Sequence, residues 1–220
     1  LITPDKIIYS NRQTFGLEID EWGKLTVRAP KKATEREVEQ VIIEKRKWIL
    51  TKQQVAQKNK PETYNFDGTD EFYFLGKKYP VLINSNKKSI VFDGERFLVN
   101  EKHKDKLQEL MIKWYKEKAL KIASFLTDKY TDKLGIKHRN VKITSAKTRW
   151  GSCSSQKNIN INWRLILAPL QVLEYVVAHE VAHLKYMDHS AKFWSTVQEL
   201  QPNYKTYKKW LKDNHNLLKF

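Results

Sequence analysis

One cysteine, Cys153, stands among 220 residues. A lone thiol excludes an intrachain disulfide framework and is in keeping with a reducing cytoplasm. Long apolar runs are missing too. No stretch of the sequence approaches the roughly 18 residues that cross a bilayer. The opening Leu1-Ile-Thr-Pro-Asp5 shows no basic region followed by an apolar one, so neither a membrane span nor a signal peptide is expected. No repeat or low-complexity tract stands out either, and aromatic residues are plentiful, which sets the chain apart from disordered compositions.

Positive charge is what the sequence has in excess. The formal net charge is +16 and the isoelectric point lies near 9.7. Such a surplus favours acidic or phosphate-rich partners, and nucleic acid bound through a basic surface is one partner it suggests. The surplus is mainly lysine spread along the chain, however, and base-reading proteins lean on arginine forks. Solvated lysine-rich faces account for the same composition.

The first part of the sequence reads as strands and one helix. Two alternating runs flank Trp22-Gly23, between Phe15 and Pro30, which predicts a hairpin. Thr34 with Glu37 three residues on makes a capping box, and Val38, Val41, Ile42, Ile49 and Leu50 give helical spacing out to about Gln57. A polar connector begins at Asn59. Short strands follow at Glu71–Leu75, Tyr79–Asn84, Ser89–Phe92 and Arg96–Val99, separated by turn residues that include Asn84-Ser85-Asn86. A long amphipathic helix is predicted from about Lys104 to Leu134, with Trp114, Tyr115, Ala119, Phe125 and Leu126 in its apolar stripe.

The last third carries the chemistry. Val141–Ala146 reads as a strand, and Lys147–Ser155 as a loop. Asn158-Ile-Asn-Ile-Asn-Trp163 alternates strictly, with three asparagines on one face. Pro169 opens a helix with an apolar face, and further helices start near Ser190 and carry Tyr204, Tyr207, Trp210 and Leu211.

His179-Glu-Val-Ala-His183 lies inside the first of these helices. At 3.6 residues per turn, positions i and i+4 share a face, so two imidazoles there can reach one zinc ion. Glu180 is turned about 100° from His179, which sets it beside the metal rather than on it, where a general base belongs. A third ligand leaves a fourth position open for water. His189 is the candidate, with Asp188 as the runner-up.

At these residues the chain resembles the YgjP-like metallopeptidases. The similar stretches are Arg149-Trp-Gly-Ser-Cys-Ser154, Ile161-Asn-Trp-Arg-Leu165, His179-Glu-Val-Ala-His-Leu184, and Asp188-His-Ser190 with Phe193-Trp194. Leu25–Pro30, Glu44–Ile49 and Leu75–Tyr79 extend the likeness over nearly the whole chain. The resemblance implies a zincin core with His189 as third ligand. A looser likeness runs to WLM and SprT-like proteases, which act on proteins crosslinked to DNA. The three-histidine spacing also equals that of metzincins, but Tyr186 stands where they have glycine. With Met111 and Met187 the only methionines, no Met-turn is available downstream.

The expected fold is therefore α+β. Residues 1–100 would form a mostly β region with one helix. Residues 101–220 would form a zincin-like core whose small sheet packs on the active-site helix. The expected activity is zinc-dependent hydrolysis of peptide bonds in a protein or peptide substrate, through a metal-bound water activated by Glu180. Arg149, Asn160 and Asn162 are candidate substrate-binding residues, Arg149 for a carboxylate or oxyanion and the asparagine strand for an extended peptide. Two rivals from other classes are a DNA-associated protease acting on nucleic-acid-bound proteins, and a non-catalytic peptide-binding module that zinc merely braces.

Overall fold

A computed structural model describes residues 2–58, 60–85 and 88–220. Asn59, at the start of the polar connector, and Asn86, at the end of the predicted turn, lie outside the described residues. The chain is α+β, with three small sheets and six α-helices among the described residues. None of these helices is long and apolar enough to cross a membrane.

Two compact units are present, one of residues 1–62 with 214–219, the other of residues 63–213 with Phe220. The first holds β1 (Lys6–Ser10), β2 (Gly16–Ile19) and β3 (Leu25–Pro30), in the order β1-β3-β2. The predicted hairpin is the antiparallel β2–β3 pair, and β1 adds a parallel strand that the sequence did not announce. Strict alternation in β3 buries Leu25, Val27 and Ala29 completely. Helices α1 (Glu35–Glu44) and α2 (Arg46–Lys58) complete this core with Val38, Ile42 and Ile49. The predicted single helix is thus two, interrupted at Lys45. Its start is as read, since Thr34 and Glu37 form both halves of the capping box.

The second unit opens with the sheet β4 (Glu71–Phe74), β5 (Lys77–Asn84), β6 (Ile90–Phe92) and β7 (Phe97–Asn100), ordered β4-β5-β7-β6. The long helix α3 spans Leu107–Lys133, preceded by a 3-10 segment rather than starting at Lys104. It buries Met111, Trp114, Tyr115, Ala119 and Leu126, but Phe125 is 67% exposed and so lies off the predicted stripe. Tyr115 is wholly buried and meets the cost of its polar end by donating to the Tyr73 carbonyl at 2.6 Å.

The third sheet comprises β8 (Asn140–Thr144), β9 (Gly151–Cys153) and β10 (Asn158–Asn162), in the order β8-β10-β9. β10 is parallel to β8 and antiparallel to β9. Ile159 and Ile161 point from it into the core, both fully buried. Helix α4 (Leu170–Ala182) packs against β9, β10 and α3. Its start is fixed by the β4–β5 turn, where Leu75 and Gly76 donate to the carbonyls of Ile166 and Leu167. A Cβ on Gly76 would come within 2.9 Å of the Pro169 backbone, so the turn approaches this closely only because residue 76 lacks one. Helices α5 (Ala191–Leu200) and α6 (Tyr204–Asn214) follow.

Candidate metal centre

Helix α4 is apolar on most sides, which is why it lies inside the unit. Val172, Leu173, Val176, Val177 and Val181 are buried, and so is Glu180, with 5% of its surface exposed. A carboxyl in such surroundings resists ionisation. Burial pushes the Glu180 carboxyl up to about 8, and the Arg149 guanidinium pulls in the other direction.

The helix ends where the second histidine sits. His183 is its C-terminal cap, and the next residues tighten the last turn, with Leu184 donating to Val181 and both Lys185 and Tyr186 to Ala182. The chain then reverses through 187–189. Ser190 caps α5 by accepting from the Phe193 N–H at 3.5 Å. This reversal carries His189 back over α4.

Three imidazoles converge as a result. The ring centroids of His179, His183 and His189 form a nearly equilateral triangle with sides of 4.9, 5.1 and 4.8 Å. One nitrogen from each lies within 4.8 Å of the others, so the group can hold a metal ion. The Nε2 atoms of His179 and His189 are 3.3 Å apart. Two nitrogens bound tetrahedrally at about 2.0–2.1 Å to one zinc ion would stand about 3.3–3.4 Å apart. The protonation states agree with ligation. Burial, then the neighbouring His183 and His189, lowers His179 to about 3, which leaves it neutral at physiological pH. His183 is lowered as well, chiefly by burial. Its Nδ1 is 3.0 Å from the Tyr186 carbonyl oxygen, so the proton belongs on Nδ1 and the Nε2 lone pair is left for a metal. His179 Nδ1 is buried without a hydrogen-bond partner among the described residues.

Asp188, the alternative third ligand, is outside this cluster. Its carboxylate accepts from the Ser190 N–H at 3.2 Å, and hydrogen bonding to Ser190 holds its pKa below the usual carboxylate value.

The sheet supplies the wall beside Glu180. A Cβ at Gly151 would fall 2.5 Å from Glu180 Oε1 and 2.8 Å from its Cγ and Cδ. The Glu180 side chain therefore lies directly on the β9 backbone, in space that only glycine leaves free. Residues 147–155, read from the sequence as a loop throughout, include this strand. The expectation that β10 pairs with an extended peptide is corrected here. β10 is the central strand, hydrogen-bonded on both sides, and the outer edge in this part of the sheet belongs to β9.

The asparagines have structural partners. Asn162 is 2% exposed, donates to the carbonyls of Ala146 and Arg149, and accepts from the Arg164 N–H. Two of these bonds hold the 146–149 segment and the third caps the 3-10 turn that follows, which leaves one usual bonding position open. Asn160 donates to Ser152 Oγ at 3.1 Å, across the β9–β10 pair. Arg149 is exposed, two residues before β9. Phe193 plays a part that the sequence reading missed. It is fully buried, and its ring centroid lies 4.5 Å from that of His183, 4.8 Å from His189 and 4.9 Å from His179.

The fold and the site thus define an α+β protein in which a His-Glu-x-x-His helix and the chain just after it bring together three imidazoles that could hold a metal ion. The chain belongs to the YgjP-like metallopeptidase family, whose domain model matches residues 13–214. A metal-dependent peptidase is the activity this membership supports. No curated protein matches it. Among solved structures it is similar to the metallopeptidase zymogen of Pyrococcus abyssi abylysin, with 22% identity, a TM-score of 0.39, and coverage of 43% of this chain and 97% of that one. The metallopeptidase zymogen of Methanocaldococcus jannaschii jannalysin is similar at 20% identity and a TM-score of 0.36, covering 41% of this chain and 95% of that one.

Proposed function

We propose that the protein is a zinc-dependent endopeptidase in which His179, His183 and His189 hold the ion and Glu180 moves the proton. The observation that carries this reading is the 3.3 Å separation of two imidazole nitrogens beside a buried carboxyl. Three nitrogen donors suit zinc better than calcium or magnesium, which prefer oxygen, and three protein ligands leave one position open. When bound, zinc supplies Lewis acidity toward a scissile carbonyl and toward water.

The other parts of the reaction belong to the chain. Glu180, which the charge of a bound zinc ion would hold ionised against the effect of burial, accepts a proton from the attacking water and returns it to the leaving amine. Gly151 keeps that carboxylate against the sheet, within the field of Arg149. An extended peptide pairs with the outer edge of β9, which carries its backbone past Glu180. Arg149, exposed at the start of that edge, receives a substrate oxygen or carboxylate. Asn160 and Asn162 hold the strand and the loop beneath it rather than the substrate. We place the protein in a reducing compartment such as the cytoplasm, because Cys153 is a free thiol without a possible intrachain partner.

The test compares zinc-loaded wild type with zinc-loaded Glu180→Gln on a proteome-derived peptide library, reading new termini by mass spectrometry. Cleavage by the wild type alone is expected. Equal cleavage by both proteins would remove Glu180 from the reaction. Absence of cleavage by either, at full zinc occupancy, would favour the zinc-braced binding module.

A further inference from the structure

Helix α6 carries Lys205, Lys208, Lys209 and Lys212, spaced i, i+3, i+4 and i+7, so the four lysines form one stripe. The stripe walls a shallow groove of about 470 Å³, together with Trp194, Tyr204 and Asp213. Like charges one turn apart disfavour a helix by a few tenths of a kcal/mol per pair, so a stripe of this kind needs a reason. Lys209 has an internal partner, Asp213, at 2.5 Å. Among the described residues no carboxylate forms an ion pair with Lys205 or Lys208.

The groove adjoins the three-histidine group through Trp194. Trp194 stacks on His189, with ring centroids 5.8 Å apart, and lies 5.7 Å from His179. The Lys208 ammonium sits 4.2 Å from the centre of the Trp194 ring. It is therefore within about 10 Å of the His189 ring. An extended peptide covers that distance in about three residues.

We propose that this groove is a specificity subsite for an acidic side chain of a peptide substrate, bound by Lys205 and Lys208 within about three residues of the scissile bond. The proposal rests on the peptidase reading given above. Ammonium groups are point charges suited to a single carboxylate. The aromatic floor argues against single-stranded nucleic acid, which needs open ring faces for its bases. Trp194 is already stacked against His189 and Tyr204 and covered by Lys208, and Tyr204 is itself 8% exposed between Trp194 and Tyr175.

The experiment uses the full chain, zinc-loaded and carrying Glu180→Gln so that peptides survive. Fluorescence anisotropy compares a labelled decapeptide with two central glutamates, its glutamine counterpart, and labelled ten-nucleotide oligothymidine. The glutamate peptide is expected to bind at least tenfold tighter than the glutamine one. Lys205→Gln with Lys208→Gln is expected to erase that ratio while zinc content and melting temperature hold. If the double change lowers the melting temperature, each single change is read instead, with an expected loss of about threefold. Equal binding of the two peptides, or a preference that survives the lysine changes, would overturn the subsite. So would oligothymidine binding more tightly than the glutamate peptide with the same lysine dependence. A cleavage arm with active protein separates this proposal from the peptidase reading. Enrichment of acidic residues within three positions of the cut, lost in the lysine variant, supports both. Cleavage without enrichment overturns the subsite alone. Glutamate-selective binding with no Glu180-dependent cleavage overturns both.

Discussion

His179 and His189 face one another with their Nε2 atoms 3.3 Å apart. Two ring nitrogens at that distance share one N–H between them or, when both present lone pairs, need a cation between them, and burial already denies His179 a second proton at neutral pH. The expected outcome of zinc titration is one tightly held equivalent and a rise in melting temperature, since a ligand of the folded state alone stabilises it. His189→Ala should cut zinc affinity by more than tenfold, measured by competition with a chromogenic chelator. Unchanged affinity would return the third-ligand role to Asp188 or to another group.

The fully buried Phe193 ring touches all three imidazoles and so sets their mutual angles as well as filling the core. Phe193→Ala should cost about 3–5 kcal/mol, the usual range for a buried Phe-to-Ala change. It should also weaken zinc binding, because the rings lose the surface they rest on. Phe193→Leu restores much of the volume and should recover most of the stability but less of the affinity. Denaturant unfolding of the metal-free protein and chelator competition separate the two effects. A stability loss with zinc affinity intact would confine Phe193 to packing.

Gly151 and Glu180 make a third pair with a sharp consequence. Any Cβ at position 151 meets the Glu180 carboxyl oxygen at 2.5 Å, so Gly151→Ala must displace that side chain or the strand. Because the three imidazoles do not depend on residue 151, zinc affinity should stay within about threefold of wild type. Peptide hydrolysis should fall by about a hundredfold or more, as a misplaced general base forfeits its 10²–10⁴-fold contribution. Turnover equal to wild type would show that the carboxyl works from another position.

The histidine group was legible in sequence because its first two members depend on helical geometry alone, and helix periodicity is a local property. The position of His189 depends on a chain reversal over 184–189, which spacing permits but does not impose. β9 gave no signal, since Gly151-Ser-Cys153 has neither alternation nor length, and only pairing with β10 makes it a strand. For the same reason the asparagine strand was misassigned. Alternation told which residues share a face, but not that both edges of β10 would be occupied, nor that Asn162 would turn to the carbonyls of Ala146 and Arg149. Phe193 read as one more apolar position on α5, because contact with all three imidazoles is a tertiary fact.

Cys153 provides a chemical probe of the same corner. Burial, and secondly the Glu180 charge, raises its thiol from 9.0 to about 11. A raised pKa favours the protonated form, and only the thiolate attacks iodoacetamide. At pH 8 the folded metal-free protein should therefore react about a hundredfold more slowly than the same chain in denaturant, the ratio set by two pH units. The folded rate should climb about tenfold per pH unit between 8 and 10, while the denatured rate levels off above 9. Glu180→Gln removes the charge that opposes the thiolate, so this variant should react faster than wild type above pH 8, where Glu180 is ionised. At pH 7 the two should converge, because Glu180 is then largely protonated. Equal rates at pH 9.5 would mean that the Glu180 carboxylate does not act on Cys153, and would count against its placement on the β9 backbone.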